Sequence, residues 1–114
     1  KARSLCNEIY LDGKVKDYII DIVFATRDPK SKKNLAEIEE FIMIGASPRA
    51  TLSLARASRA KAFMEGRAFV TPDDVKAVAP DILRHRILLT FEAEAQEVTS
   101  QQIVTKILAG LPTP

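Results

Sequence analysis

The spacing of apolar residues between positions 15 and 23 constrains the fold more than anything else in this chain. Val15, Tyr18, Ile19, Ile22 and Val23 recur at i, i+3, i+4, i+7 and i+8, the period of one buried face of an α-helix. Asp12 stands where an N-cap belongs, and Asp28-Pro29 closes the pattern, because the residue before a proline is pushed out of the helical region. A helix over 13–27 follows. A second stripe, Ile103, Val104, Ile107 and Leu108, begins after Thr99 and Gln102, the two halves of a capping box, and ends at Gly110 and Pro112. A third start, Thr71-Pro72-Asp73-Asp74, combines a threonine N-cap, a proline at the first helical position and acids in the first turn. That helix carries Val75, Val78 and Ala79. Pro80 is expected to break it, leaving DILRHR as a short turn.

The longest helix is expected over 48–65, opened by Ser47-Pro48 and stopped by Gly66. Its alanines favour helix. Its apolar side chains lie on two sides, which predicts a central helix packed by several neighbours. Residues 36–44, AEIEEFIMI, are ambiguous, and a short buried extended segment before Gly45 is expected. Residues 87–91, ILLTF, are the other candidate for extended structure. Residues 1–11 read as the tail of a preceding segment, and 28–35, DPKSKKNL, as a solvated basic loop. The expected class is therefore all-α: a small bundle of four to five helices, with room for one short two-stranded pair from 41–44 and 87–91.

Composition removes several functions. With 114 residues the chain holds one domain with a modest core. A net charge of +2 is low for a nucleic-acid binder, so nucleic acid is not the expected partner. No apolar run is long enough for a transmembrane helix, so no membrane partner is expected. One histidine and one cysteine do not make a protein-only zinc site, and no metal ligands are assigned. Cys6 has no internal partner for a disulfide, which suits a reducing, cytoplasmic setting. His85 has no serine or cysteine at a spacing that suggests a hydrolytic triad. Glu92, Glu94 and Glu97 read as a solvated segment rather than a metal site.

One helix start departs from the others. The helices after Thr71 and Thr99 place acidic or neutral groups at the positive end of the dipole. The helix after Ser47 places Arg49 there, and no Asp or Glu follows before Glu65. A cation at that end is unfavourable by about 0.3–1 kcal/mol. The free N–H groups of the first turn, with Ser47, Pro48 and Ala50 around them, and the arginine fork together attract an anion such as phosphate. Arg56 lies seven residues on, within roughly 20° of Arg49 around the helix, and extends the same edge. The plain alternative is an Arg49 that is solvated or paired with a carboxylate such as Glu40. Arg27, at the end of the first helix, has a sufficient role in capping its C-terminus. Arg84-His85-Arg86 is the next basic cluster, and a structural role is expected for it rather than a catalytic one.

The stretches GASPRATLSLARASRAKAF and VTPDDVKAVAPDILRHRILLTFEAEAQEVTSQQIV, with ATRDP at 25–29, resemble the C-terminal lid domain of the MoxR family of AAA+ ATPases, over nearly the whole chain. The resemblance implies that Arg49 is the sensor-2 arginine, which reaches across the cleft to ATP phosphates and couples lid position to nucleotide state. It also implies a larger nucleotide-binding domain in the same chain, with ATP and Mg²⁺ bound there, and neighbouring subunits in a hexameric ring. Chaperone-like maturation of partner complexes, often with von Willebrand factor A domain proteins, belongs to the same expectation. A start at Lys1 without methionine suits a piece of a longer protein. No G-x-x-x-x-G-K-[ST] occurs and no apolar strand ends in Asp-Glu, so no catalytic residue is assigned and the 114 residues alone are expected to be inactive. The competing possibility is a standalone helical nucleic-acid or protein-binding module built on Arg49, Arg56, Arg59 and Arg67.

Overall fold

The computed structural model describes residues 9–28, 38–111 and 113–114. Helix α1, Gly13–Arg27, begins where Asp12 accepts a hydrogen bond from the Lys14 N–H. It buries Val15, Tyr18, Ile19, Ile22, Val23, Ala25 and Thr26, the expected stripe. Strand β1, Ile42–Ile44, follows a short 3₁₀ turn at 38–41. Helix α2 is Ala50–Met64, α3 is Pro72–Leu83, β2 is Leu88–Leu89, α4 is Phe91–Ala95 and α5 is Ser100–Gly110. The bundle is small and helical, as expected, with one antiparallel pair. Ile42 lies opposite Leu89 and Ile44 opposite Leu88.

α2 packs chiefly on α3 and also on α1, while α3 rests on α5. The core between them is apolar and continuous: Ile19, Ile22, Ile38, Leu54, Val75, Leu83, Ile103, Val104 and Ile107 are all essentially inaccessible. Full burial of a side chain of this size contributes about 1.5–3 kcal/mol. The expected capping box at Thr99 forms, and the expected threonine N-cap at Thr71 proves to be one as well. Thr71 and Asp74 exchange side-chain and backbone hydrogen bonds at the start of α3, and Thr99 and Gln102 do so at α5.

Four expectations need correction. β1 is extended but not buried: Met43 and Ile44 are 61% and 55% exposed, because the sheet among the described residues has only two strands. α2 is packed by both α3 and α1, but it buries a single stripe, Ala50, Leu54, Ser58 and Ala62, so the apolar side chains Leu52 and Met64 on its other side face outward. Pro80 does not break α3. The helix continues to Leu83, although an interior proline costs about 3 kcal/mol. Ala79 and Leu83 on either side of it are fully buried, and the Pro80 carbonyl still accepts from the Arg84 N–H at 3.1 Å. Only 84–86 remain a turn. Finally, Glu92 and Glu94 lie on a helix that sequence reading missed. α4 is a single short helix capped by Thr90, which accepts from the Ala93 N–H and donates to the Glu40 carbonyl.

Cys6 and the basic loop at 29–35 lie outside the described residues, as does most of the 1–11 segment. Within that segment Tyr10 is extended, pairing in parallel with Phe69.

Two helix ends use the same closing motif. Arg67 N–H bonds the Ala62 carbonyl and Gly66 N–H the Phe63 carbonyl at the end of α2, and Val98 and Glu97 repeat the pattern onto Ala93 and Glu94 after α4. The pivotal residue is left-handed in both, Gly66 at φ 77° and Glu97 at φ 59°. Glycine suits that conformation; a glutamate pays for its Cβ there. Glu97→Gly is therefore expected to raise stability by about 0.5–1 kcal/mol, read as a higher denaturant midpoint at constant slope. A lower midpoint would mean that the Glu97 side chain holds the turn by a contact of its own.

Candidate functional site

The segment that presents Arg49 is fixed from behind by the end of α1. Gly45 packs against that end so closely that a Cβ would overlap the Thr26 carbonyl group and sit 2.8 Å from the Arg27 Cα. Glycine is required there by close backbone approach rather than by its torsion angles. The next residue, Ala46, is fully buried. Its N–H donates to the buried Thr26 hydroxyl at 2.9 Å, and that hydroxyl donates to the Val23 carbonyl at 2.6 Å. The Ala46 carbonyl accepts from Arg27 Nη1 at 3.4 Å. Thr26 and Arg27 thus hold both polar groups of one peptide residue, and two stretches that the sequence separates by about twenty residues become one structural unit. Arg27 caps a neighbouring loop carbonyl rather than only its own helix end.

From this anchor the chain turns at Ser47-Pro48-Arg49 into α2. The Ser47 hydroxyl accepts from the Arg49 N–H at 3.2 Å, and the Ala50 N–H bonds the Ser47 carbonyl at 2.8 Å. Arg49 occupies the N-cap position itself, and regular helix begins one residue later. Its side chain is exposed and has no hydrogen bond or ion pair with any described residue. Pairing with Glu40 does not occur.

The β1–β2 pair then determines what Arg49 faces. Because the strands are antiparallel, the residues that follow Ile44 lie beside those that precede Leu88. The turn His85-Arg86 is thereby folded against Gly45–Arg49. Together they line a cleft of about 530 Å³ whose polar side chains are Ser47, Arg49, Ser53, His85 and Arg86, with Ile44, Gly45, Ala50 and Leu88 as its apolar floor. Among the described residues, no carboxylate lines it. Arg86 is tethered at both ends of its fork: Nη1 donates to the Ile82 carbonyl at 3.0 Å and Nη2 to the Ser53 hydroxyl at 3.3 Å. Arg84 is turned aside, with Nε donating to His85 Nε2 at 3.2 Å and its terminal nitrogen 3.5 Å from Asp81.

Of the residues singled out in the sequence, Ser47, Arg49 and Ala50 line this cleft. Pro48 is exposed beside it, and Arg56 is exposed two turns along α2, outside the lining. Ser53 was missed, and His85 and Arg86, expected to be structural, line the cleft as well. Ser53 sits four residues after Arg49 and so on nearly the same side of α2, a spacing that was available in the sequence. Arg86 required the strand register. The four arginines of a possible nucleic-acid surface do not form one. Arg67 is taken by Asp74, Arg59 is half-buried, and only Arg49 and Arg56 are exposed. Among the described residues, no three His, Cys, Asp or Glu side chains are placed to share a metal ion, and no helix is long and apolar enough to cross a membrane.

The AAA lid domain family matches residues 35–107. The chain is 39% identical over 114 residues to Chaperone MoxR1 of Mycobacterium tuberculosis, covering all of this chain and 30% of that protein. It is 35% identical over 104 residues to Protein MoxR of Paracoccus denitrificans, covering 88% of this chain and 31% of that protein. A crystal structure from Cytophaga hutchinsonii superimposes with a TM-score of 0.92 at 40% identity, over 97% of this chain and 33% of that one. The chain thus spans about a third of the length of the relatives it matches.

Proposed function

The chain belongs to the AAA lid domain family and is a lid of the MoxR type, and from that premise we propose that Arg49 is its sensor-2 arginine. The observation that carries this is the unpaired Arg49 side chain at the mouth of a cleft with a second arginine, a histidine, two hydroxyls and no carboxylate. Such a donor set fits phosphate oxygens. It does not fit Mg²⁺, which takes carboxylate and water oxygens. ATP phosphates would therefore meet Arg49 here, while Mg²⁺ is held by the larger nucleotide-binding domain of the same chain.

An arginine in this position does no covalent chemistry. It stabilises negative charge on the transferring phosphoryl group and reports whether that group is present. Held by Thr26 and Arg27 through Ala46, Arg49 is rigidly attached to the bundle, so a pull on its guanidinium moves the lid as a body. We infer that the 114 residues are one lid domain of a longer ATPase, that neighbouring subunits form a ring, with six members expected, and that nucleotide-driven lid motion passes around it. Chaperone-like maturation of partner complexes, with von Willebrand factor A domain proteins among them, and a cytoplasmic location complete this proposal. They rest on kinship with proteins named MoxR. A standalone nucleic-acid or protein-binding module remains the alternative, and the dispersal of Arg49, Arg59 and Arg67 counts against it.

In the full-length protein, Arg49→Ala is expected to lower kcat/KM for ATP by about ten- to a hundredfold, the range for loss of a charged hydrogen-bonding group. Its melting temperature should be unchanged, since the side chain has no hydrogen bond or ion pair with any described residue of the lid. Unchanged kinetics in a folded variant would remove the phosphate role.

A further inference from the structure

Resting on that assignment of the cleft, we propose that Arg86 is a second phosphate-binding residue, so that the lid grips two points of a nucleotide's polyphosphate chain rather than one. Three observations carry it. Arg86 reaches the cleft from the α3–β2 turn, a different element from the one that carries Arg49. Its guanidinium is fixed in place by the Ile82 carbonyl and the Ser53 hydroxyl. These bonds use two of the five N–H donors of an arginine, and the other three have no partner among the described residues. No carboxylate among the described residues lines the cleft to neutralise it.

Placement favours a chain of phosphates. The Arg86 fork touches Ser53, four residues and therefore about 6 Å of helix rise beyond Arg49. Two arginines anchored about one helical turn apart along α2, and carried by different elements, match an extended polyanion better than a single phosphate. Preorganisation by the tethers lowers the cost of ordering a long side chain on binding. Closing off the Ile82 carbonyl at the end of α3 is a sufficient reason for one of the two tethers. It gives no reason for the second, to Ser53, which draws the fork toward the cleft.

The test is equilibrium binding of ATP and of adenosine to the full-length protein and its variants. Arg86→Gln keeps a donor for the Ile82 carbonyl but removes the charge. It is expected to weaken ATP binding about tenfold or more while adenosine binding and melting temperature stay as in the parent. Arg86→Lys keeps the charge but not the fork, so its ATP affinity should lie between those of the parent and Arg86→Gln. A merely structural Arg86 would alter adenosine and ATP binding together, or melting alone, and either result overturns the proposal. If Arg49→Ala weakens ATP binding and Arg86→Gln does not, the cleft has one phosphate-binding arginine and only this inference fails. If neither variant changes ATP binding, the assignment of the cleft fails as well. Loss of salt-dependent duplex DNA binding in both variants, with ATP binding intact, would give the cleft to nucleic acid and contradict both. Should Arg86→Gln not fold, Ser53→Ala decides: it frees the guanidinium without removing its charge and is expected to weaken ATP binding about two- to fivefold. Unchanged binding in Ser53→Ala would overturn the proposal.

Discussion

Gly45→Ala is expected to destabilise the domain by about 3 kcal/mol, the upper end of the range for overpacking, and to lower its melting temperature by roughly 10 °C. The reason is that the added methyl meets backbone. The Thr26 carbonyl group and the Arg27 Cα both lie in its place, and neither can rotate aside as a side chain would. Relief requires the end of α1 and the Gly45 segment to part. That movement stretches the hydrogen bond from the Ala46 N–H to the buried Thr26 hydroxyl and leaves polar groups unpaired in a dry site. Nucleotide affinity should fall with it, because the same segment delivers Arg49. A variant melting within about 2 °C of the parent, the range of ordinary surface changes, would show that the close approach is not maintained in solution.

The second large effect is expected at Asp74. Its carboxylate is 2% exposed and serves two partners. One oxygen accepts from the Thr71 N–H at 2.9 Å and completes the capping box of α3, and the other pairs with Arg67 Nη2. Asp74→Ala removes both and leaves the half-buried Arg67 without its counter-charge, a loss of about 3 kcal/mol. That is a large part of the roughly 5–15 kcal/mol that holds a domain together. Asp74→Asn keeps an acceptor for the Thr71 N–H but removes the charge, so it should cost about 1–2 kcal/mol. Thermal or urea unfolding of the two variants separates the parts. Equal losses in both would assign the whole effect to the ion pair, and an unperturbed Asp74→Asn would assign it to the cap.

These two sites also show what could be read in the sequence. Thr71-Pro72-Asp73-Asp74 was legible as a helix start because a capping threonine, a first-position proline and first-turn acids are local signals. The stripes of α1 and α5 were legible because period alone orients them. The partnership of Asp74 with Arg67 was not, since it depends on the turn at Gly66 that brings the end of α2 back to the start of α3. Pro80 misled for a related reason. Its local cost is real, but the buried Ala79 and Leu83 beside it outweigh that cost, and burial is a tertiary property. α4 escaped notice because five residues are too few to display a period.

The candidate site divides in the same way. Arg49 stood out locally, as a cation at a helix start with no acid near it. Gly45 could be seen as part of a motif, but its purpose required the end of α1 to be placed behind it. Arg86 entered the cleft only through the pairing of Ile44 with Leu88. Segments 41–44 and 87–91 were both expected to be extended, and an antiparallel pairing of those two stretches already implies that the residues after the first lie beside those before the second. The family resemblance assigned Arg49 a role without that geometry, and it assigned Arg86 no contact with a nucleotide.

The central claim is that Arg49 touches a nucleotide phosphate. A crystal structure of the full-length protein with Mg²⁺ and a non-hydrolysable ATP analogue tests it most directly. The account predicts an Arg49 guanidinium nitrogen about 2.7–2.9 Å from a phosphate oxygen, with Gly45 still seated on the end of α1. An occupied nucleotide site in which the Arg49 guanidinium remains in solvent, or pairs with a protein carboxylate instead, would contradict it.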